Sequence, residues 1–162
     1  MIRLRTILSA GLPAWLLAGC AEPMKPAAPT AKPAALEKPQ ATSPPRPAGK
    51  AEISSISLEE FFVLQQSGRA MIFDARPSFI YKLGHVPGAI LLPKSHCDEL
   101  LRSREAEIQR TLADGGALVV YCSGPNCPDA RAVAERLSAS GYPAKVFQGG
   151  WDAWKDAGLA TE

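Results

Sequence analysis

Four short apolar runs set the pattern of the chain from residue 51 onward. They are Ala70–Asp74 (AMIFD), a run ending at Leu92, Ala117–Tyr121 (ALVVY) and Ala144–Phe147 (AKVF). Runs this short and apolar predict strands covered on both faces. Between them the apolar positions change to helical spacing. Phe61, Phe62 and Leu64 mark a helix over 58–66 that ends before Gly68, and Ser57 with Glu60 has the form of a capping box at its start. Leu101, Ile108 and Leu112 predict helix within 97–112. Ala130, Val133, Ala134 and Leu137 fall at i, i+3, i+4 and i+7, which predicts a helix that Gly141 stops. Gln148-Gly149-Gly150 opens a last turn before Trp151 and Trp154, both read as packing residues. Strands alternating with helices predict an α/β fold, a central, mostly parallel sheet flanked by helices. In such sheets, sites lie beyond the carboxyl ends of the strands, where Asp74, Arg76 and Cys122 all fall.

The first fifty residues follow another rule. Arg3 and Arg5 give a positive start, and Thr6–Gly19 is then an apolar stretch too short to span a bilayer as a helix. This is the layout of an export signal over 1–19. Its boundary, Leu17-Ala18-Gly19-Cys20, resembles the lipobox of bacterial lipoproteins. That resemblance implies a lipidated Cys20 as mature N-terminus, and Ala21 where inner-membrane lipoproteins carry Asp implies the outer membrane, facing the periplasm. From 20 to 50 the chain is rich in Pro and Ala without apolar periodicity, and such a composition cannot offset its ordering entropy by burial. It reads as a tether reaching on the order of 90 Å at full polyproline extension. The folded domain is then 51–162, in an oxidising compartment.

Charge narrows the partners. Residues 51–162 hold eleven Lys/Arg against fourteen Asp/Glu, a net of −3, whereas the whole chain is +2. The folded part therefore presents no basic cluster, and nucleic-acid binding is excluded as a reading.

The candidate chemistry sits directly after the ALVVY run, in Cys122-Ser123-Gly124-Pro125-Asn126-Cys127-Pro128-Asp129. A strand here delivers a cysteine into a turn, and Pro128 suits the first position of the following helix. Backbone N–H groups of such a turn lack intrahelical partners and converge on an anion, an environment that stabilises a thiolate. The plainer reading is a buried cysteine at a strand end. Gly124 fits a close backbone approach, and Pro125 and Pro128 stiffen the loop. Metal binding is not expected, because adjacent His96 and Cys97 diverge in an extended segment and leave no convergent set with His85, Cys122 and Cys127.

Four motifs occur together in order: Asp74-Ala75-Arg76, Gly84-His85-Val86-Pro87-Gly88-Ala89-Ile90, the strand-borne Cys122, and Gly149-Gly150 followed by Trp154. Over about residues 52–160 the chain resembles rhodanese domains. The resemblance implies their three-layer fold and places Cys122 at the family's nucleophile position. It implies a thiolate that attacks a sulfane donor such as thiosulfate, forms a persulfide and passes the sulfur to a thiol or cyanide. The small donor and acceptor are the implied partners, with the membrane reached through Cys20, and no cofactor is implied. Asp74 and Arg76 are expected to brace the loops and His85 to order its turn, while Arg131, one turn into the helix, either offsets the charge of Asp129 in support of the site or lies on the surface.

The loop departs from the commonest family pattern by being about two residues longer. Asp129 falls near where the family often has Arg, and an acidic neighbour opposes thiolate formation. Pro128 breaks the cysteine–x5–arginine pattern of cysteine phosphatases. Cys127 carries three readings: a disulfide partner of Cys122, a group that resolves a Cys122 persulfide or sulfenic acid, or an inert capping residue. Beside the sulfurtransferase stand two alternatives, a thiol/disulfide redox module and a non-catalytic binding module.

Overall fold

The computed structural model describes residues 49–162; the signal 1–19, Cys20 and the tether up to residue 48 lie outside the described residues. Five strands form one sheet: β1 (Ile53–Ser55), β2 (Ala70–Asp74), β3 (Ile90–Leu91), β4 (Ala117–Tyr121) and β5 (Ala144–Phe147). Their order is β1-β5-β4-β2-β3, and every pairing is parallel. The two strands with the most apolar runs, β2 and β4, thus lie centrally and pair along their full length, from Ala70 with Ala117 to Asp74 with Tyr121.

Alternation along β4 divides the core between the two faces. Leu118, Val120 and Cys122 face one layer, with Met71 and Phe73 of β2. Val119 and Tyr121 face the other, with Ile72. The first layer is closed by α3 (Cys97–Ser103), α4 (Glu105–Ala113) and α5 (Asp129–Ala139), which bury Leu101, Ile108, Val133 and Leu137. The second is closed by α1 (Leu58–Gln66) and α6 (Gly150–Asp156), through Phe61 and Trp154 with ring centroids 5.1 Å apart. A short α2 (Ser78–Tyr81) and a 3-10 turn (Lys94–His96) complete the elements. Among the described residues no helix is long and apolar enough to cross a membrane.

The structure refines several sequence expectations. β1 was not foreseen: three residues ending in Ser54-Ser55 carry no apolar run, and only pairing with β5 makes them a strand. The same holds for α2, a single turn of Ser-Phe-Ile-Tyr. The helix within 97–112 is two helices, broken at Arg104 (φ −109°, ψ 10°). Ser103 contributes to the break, since its hydroxyl donates to the Leu100 carbonyl and competes with the helical ladder. Of the capping box only half forms: the Ser57 hydroxyl accepts from Glu60 N–H at 3.2 Å, while the Glu60 carboxylate reaches Lys145.

Two buried acids of weak strength sit in these layers. Burial, with Asp98 adding to it, pushes the Cys97 thiol up to about 11. Burial and then Asp74 push the Tyr121 phenol well above its ordinary value. Above their ordinary values the unfolded chain loses these protons first, so stability falls as pH rises past about 9, the ordinary value for the thiol. We expect a loss on the order of 2 kcal/mol from Cys97 between pH 8 and 11, read from urea midpoints. Cys97→Ala should flatten that part of the decline, and an unchanged slope would remove Cys97 as its source.

Candidate active site

The site is built from the backbone outward. β4 ends at Tyr121, and residues 122–128 loop across the carboxyl edge of the sheet before α5 begins. Two bonds pin the loop to the start of α6: Trp151 N–H donates to the Cys122 carbonyl at 2.8 Å, and Asp152 N–H to the Ser123 carbonyl at 2.9 Å. Contact this close requires Gly150. Its φ is +64°, and a Cβ there would lie 2.6 Å from Cys122 O and 2.7 Å from Gly124 N. Gly124 is a close approach as well, because a Cβ there would meet the Asp152 carboxylate at 2.9 Å. Inside the loop Cys127 N–H donates to the Gly124 carbonyl at 3.1 Å. Among the described residues, the N–H groups of Ser123, Gly124 and Asn126 have no protein acceptor. The first N–H groups of α5 add to them, so the loop can serve as an anion cradle.

Cys122 is 3% exposed, Cys127 is half-buried, and a disulfide joins them with Cα atoms 6.1 Å apart. That spacing lies in the ordinary range for a disulfide. Both cysteines line a cleft of about 460 Å³ shared with Ser55 of β1, Arg131 of α5 and Gln148 beyond β5. The two sulfurs and the Asp129 carboxylate lie within 4.8 Å of one another, a convergence the sequence reading did not foresee. While the disulfide stands, neither sulfur is a thiolate ligand. Asp129 is 4.0 Å from Lys94, which offsets some of its charge.

Behind the loop is a buried polar network. Arg76 donates to both Asp74 oxygens, at 2.6 Å for the shortest bond, and to the Gly84 carbonyl at 2.8 Å. Tyr121 donates to Asp74 at 2.6 Å and accepts from Val86 N–H at 3.1 Å. Burial alone would pull the Arg76 guanidinium down, but the hydrogen bonds and charge of Asp74 outweigh it and leave it raised. Its guanidinium carbon lies 4.7 Å from the Trp151 ring centroid. The network thus ties the Gly84–Val86 turn and the start of α6 to the ends of β2 and β4, and Trp151 links it to the Cys122 carbonyl.

A family of rhodanese-like domains matches residues 57–157. The chain belongs to the rhodanese-like family. It is 32% identical over 111 residues to an HTH-type transcriptional regulator of Mycobacterium tuberculosis, covering 67% of this chain and 44% of the regulator. The chain therefore spans less than half the length of that curated relative. Among solved structures it resembles a protein of Bacillus halodurans with a TM-score of 0.58 and 22% identity, over 67% of this chain and 76% of that one. A thiosulfate sulfurtransferase of Pseudomonas aeruginosa superposes with a TM-score of 0.52 and 24% identity, over 68% of this chain and 20% of that one. These likenesses show the fold.

Within this rhodanese-like domain the sequence-predicted residues separate into groups. Residues 122–128 form one loop, and Asp129 opens α5 directly after it. Asp74 contacts Tyr121 and Arg76 contacts Trp151, on the opposite face of the sheet from the Cys122 side chain. Arg131 is 63% exposed and pairs with Glu135, one turn along α5. Pro128 stands one residue before α5 and gives its carbonyl to Ala132 N–H. His85 stacks on Tyr81 with centroids 3.8 Å apart, and its backbone pairs with Glu162. Sequence reasoning missed Tyr121 and Asp152. A tyrosine closing an apolar strand reads as core, and Asp152 reads as an ordinary acid in a first helical turn.

Proposed function

We propose that this domain is a sulfurtransferase whose Cys122 thiolate takes sulfane sulfur from a small donor such as thiosulfate. A persulfide forms on Cys122, and a thiol or cyanide removes the sulfur. The observation that carries this reading is Cys122 itself, held at a strand end in a loop with free N–H groups, at the family's nucleophile position and facing a cleft. The Cys122–Cys127 bond must open before the thiolate can act. Arg131 lines the cleft and would attract an anionic donor at its rim.

Export and lipidation at Cys20 belong to the same proposal. Leu17-Ala18-Gly19-Cys20 supports it, and so does a disulfide that persists in an oxidising compartment. Labelling with radioactive palmitate should mark the wild type and not Cys20→Ala; equal labelling of both would remove the anchor.

A thiosulfate:cyanide assay tests the activity. Reduced wild type should release sulfite from thiosulfate, oxidised wild type should not, Cys127→Ser should turn over to thiocyanate, and Cys122→Ser should fall to the uncatalysed rate in either state. Cys127→Ser should be active without prior reduction. Cys127→Ser no faster than Cys122→Ser would sink the reading. The disulfide favours a second one, a thiol/disulfide redox module, which predicts rapid exchange with a dithiol and no thiocyanate.

A further inference from the structure

We propose that Cys127 is the internal acceptor for sulfur carried on Cys122, so that the domain releases sulfide and closes its own disulfide. The inference rests on the sulfurtransferase reading and concerns where the sulfur goes next. Its central observation is that the folded loop already brings the two sulfurs into a bond, at a Cα separation that requires no backbone rearrangement. Any external acceptor has to enter the cleft to reach a sulfur on Cys122, which is 3% exposed. Cys127 is already there, five residues along a loop held by two prolines and by the Cys127 N–H to Gly124 carbonyl bond.

The step balances without an added oxidant. In the loaded form Cys122 carries –Sγ–SH. The Cys127 thiolate attacks Cys122 Sγ, the Sγ–Sγ bond forms, and the bond to the outer sulfur breaks. The electron pair of that bond leaves with the outer sulfur as hydrosulfide, and the proton of the Cys127 thiol goes to water. The sulfane sulfur is reduced to sulfide while the two cysteine sulfurs are oxidised to the disulfide. An external dithiol then reopens the loop by exchange and is itself oxidised. With thiosulfate as donor, the sum is thiosulfate plus a dithiol giving sulfite, sulfide and a disulfide. Such a domain consumes reducing equivalents and yields sulfide, where a simple carrier would hand its sulfur to an outside thiol.

Cys97 does not take this role. It is buried in the core, its thiol is pushed up to about 11, and its neighbours hold it as a packing residue. Proximity gives Cys127 the advantage over any dilute acceptor, by about 100-fold or more at ordinary thiol concentrations.

The test uses the full chain, reduced, freed of thiol and mixed with one equivalent of thiosulfate. Wild type should release sulfite and then sulfide in equal amounts and end two hydrogens lighter than the reduced protein. Cys127→Ser should release sulfite but keep one added sulfur on Cys122, with a persulfide lifetime about 100-fold longer, and give up sulfide only when a thiol is added. A parallel arm loads both proteins with inorganic polysulfide and reads intact mass and peptide maps, so the resolving step is followed whether or not thiosulfate is a donor. No sulfite in the first arm, with disulfide in wild type and persulfide on Cys127→Ser in the second, retires thiosulfate and keeps the resolving role. A persistent persulfide on wild type in either arm overturns the proposal. So does sulfide release from Cys127→Ser at the wild-type rate, or failure of Cys122 to hold sulfur in both arms.

Discussion

Asp74→Ala should cost about 3–5 kcal/mol of folding stability, because it strands a buried guanidinium. Arg76 is 1% exposed and Asp74 is fully buried, and their contact is charge-assisted through three side-chain bonds. Taking two charges out of water is costly, and their attraction offsets that cost only while both are present. Tyr121 would lose the acceptor of its hydroxyl in the same substitution. A domain of this size has a net stability of about 5–15 kcal/mol, so the variant should be near its limit at 37 °C. Urea unfolding reads the effect. Asp74→Ala combined with Arg76→Met should be more stable than Asp74→Ala alone, since the stranded charge is gone. A loss below about 1 kcal/mol for the single variant would show that Arg76 has found another partner or reached water.

The second large effect is expected at Gly150. An alanine there must hold φ near +64°, which costs about 1–2 kcal/mol for a residue with a Cβ. Its methyl would also press on Cys122 O, Gly124 N and Ser123 C, all backbone atoms 2.6–2.7 Å away. None of these can rotate aside as a side chain could. α6 must therefore retreat from the loop, loosening the bonds from Trp151 and Asp152 at about 1 kcal/mol each. We expect a total near 3 kcal/mol and, on the sulfurtransferase chemistry proposed above, at least a tenfold loss of persulfide formation in the reduced protein, as the loop spreads. Gly158→Ala is the control: its φ is +68°, but nothing lies within 4 Å of the added Cβ. It should show the backbone strain alone and leave sulfur transfer at the wild-type level. Equal effects of the two substitutions would mean that contact with the loop is irrelevant.

Much of this was legible in order along the chain, and the reason differs from element to element. β2 and β4 are buried on both faces, so their apolar runs carry their own signal whatever their neighbours do. α5 shows its inner face at helical spacing, in Ala130, Val133, Ala134 and Leu137. β1 and α2 gave no such signal, because an edge strand ending in two serines and a single helical turn owe their form to what they pack against. The same divide runs through the site. Cys122, the Gly149-Gly150 pair and the Asp74/Arg76 motif are side-chain identities, and chemistry that depends on residue type can be read from residue type.

The sequence alone therefore determined the layer architecture, the cysteine at the strand end and the second cysteine five residues on. It left three readings of that second cysteine, because a spacing of five allows the sulfurs to meet or to diverge according to how the loop turns. Only the tertiary structure decided between those geometries: α6 grips the loop through two backbone bonds, the loop curls, and Cys122 and Cys127 share one bond. It also decided that Asp74 and Arg76 lie behind the sheet, because side chains alternate across a strand and Tyr121 and Cys122 consequently face opposite layers. Distances between residues far apart in the chain are set by packing, and no local pattern contains them.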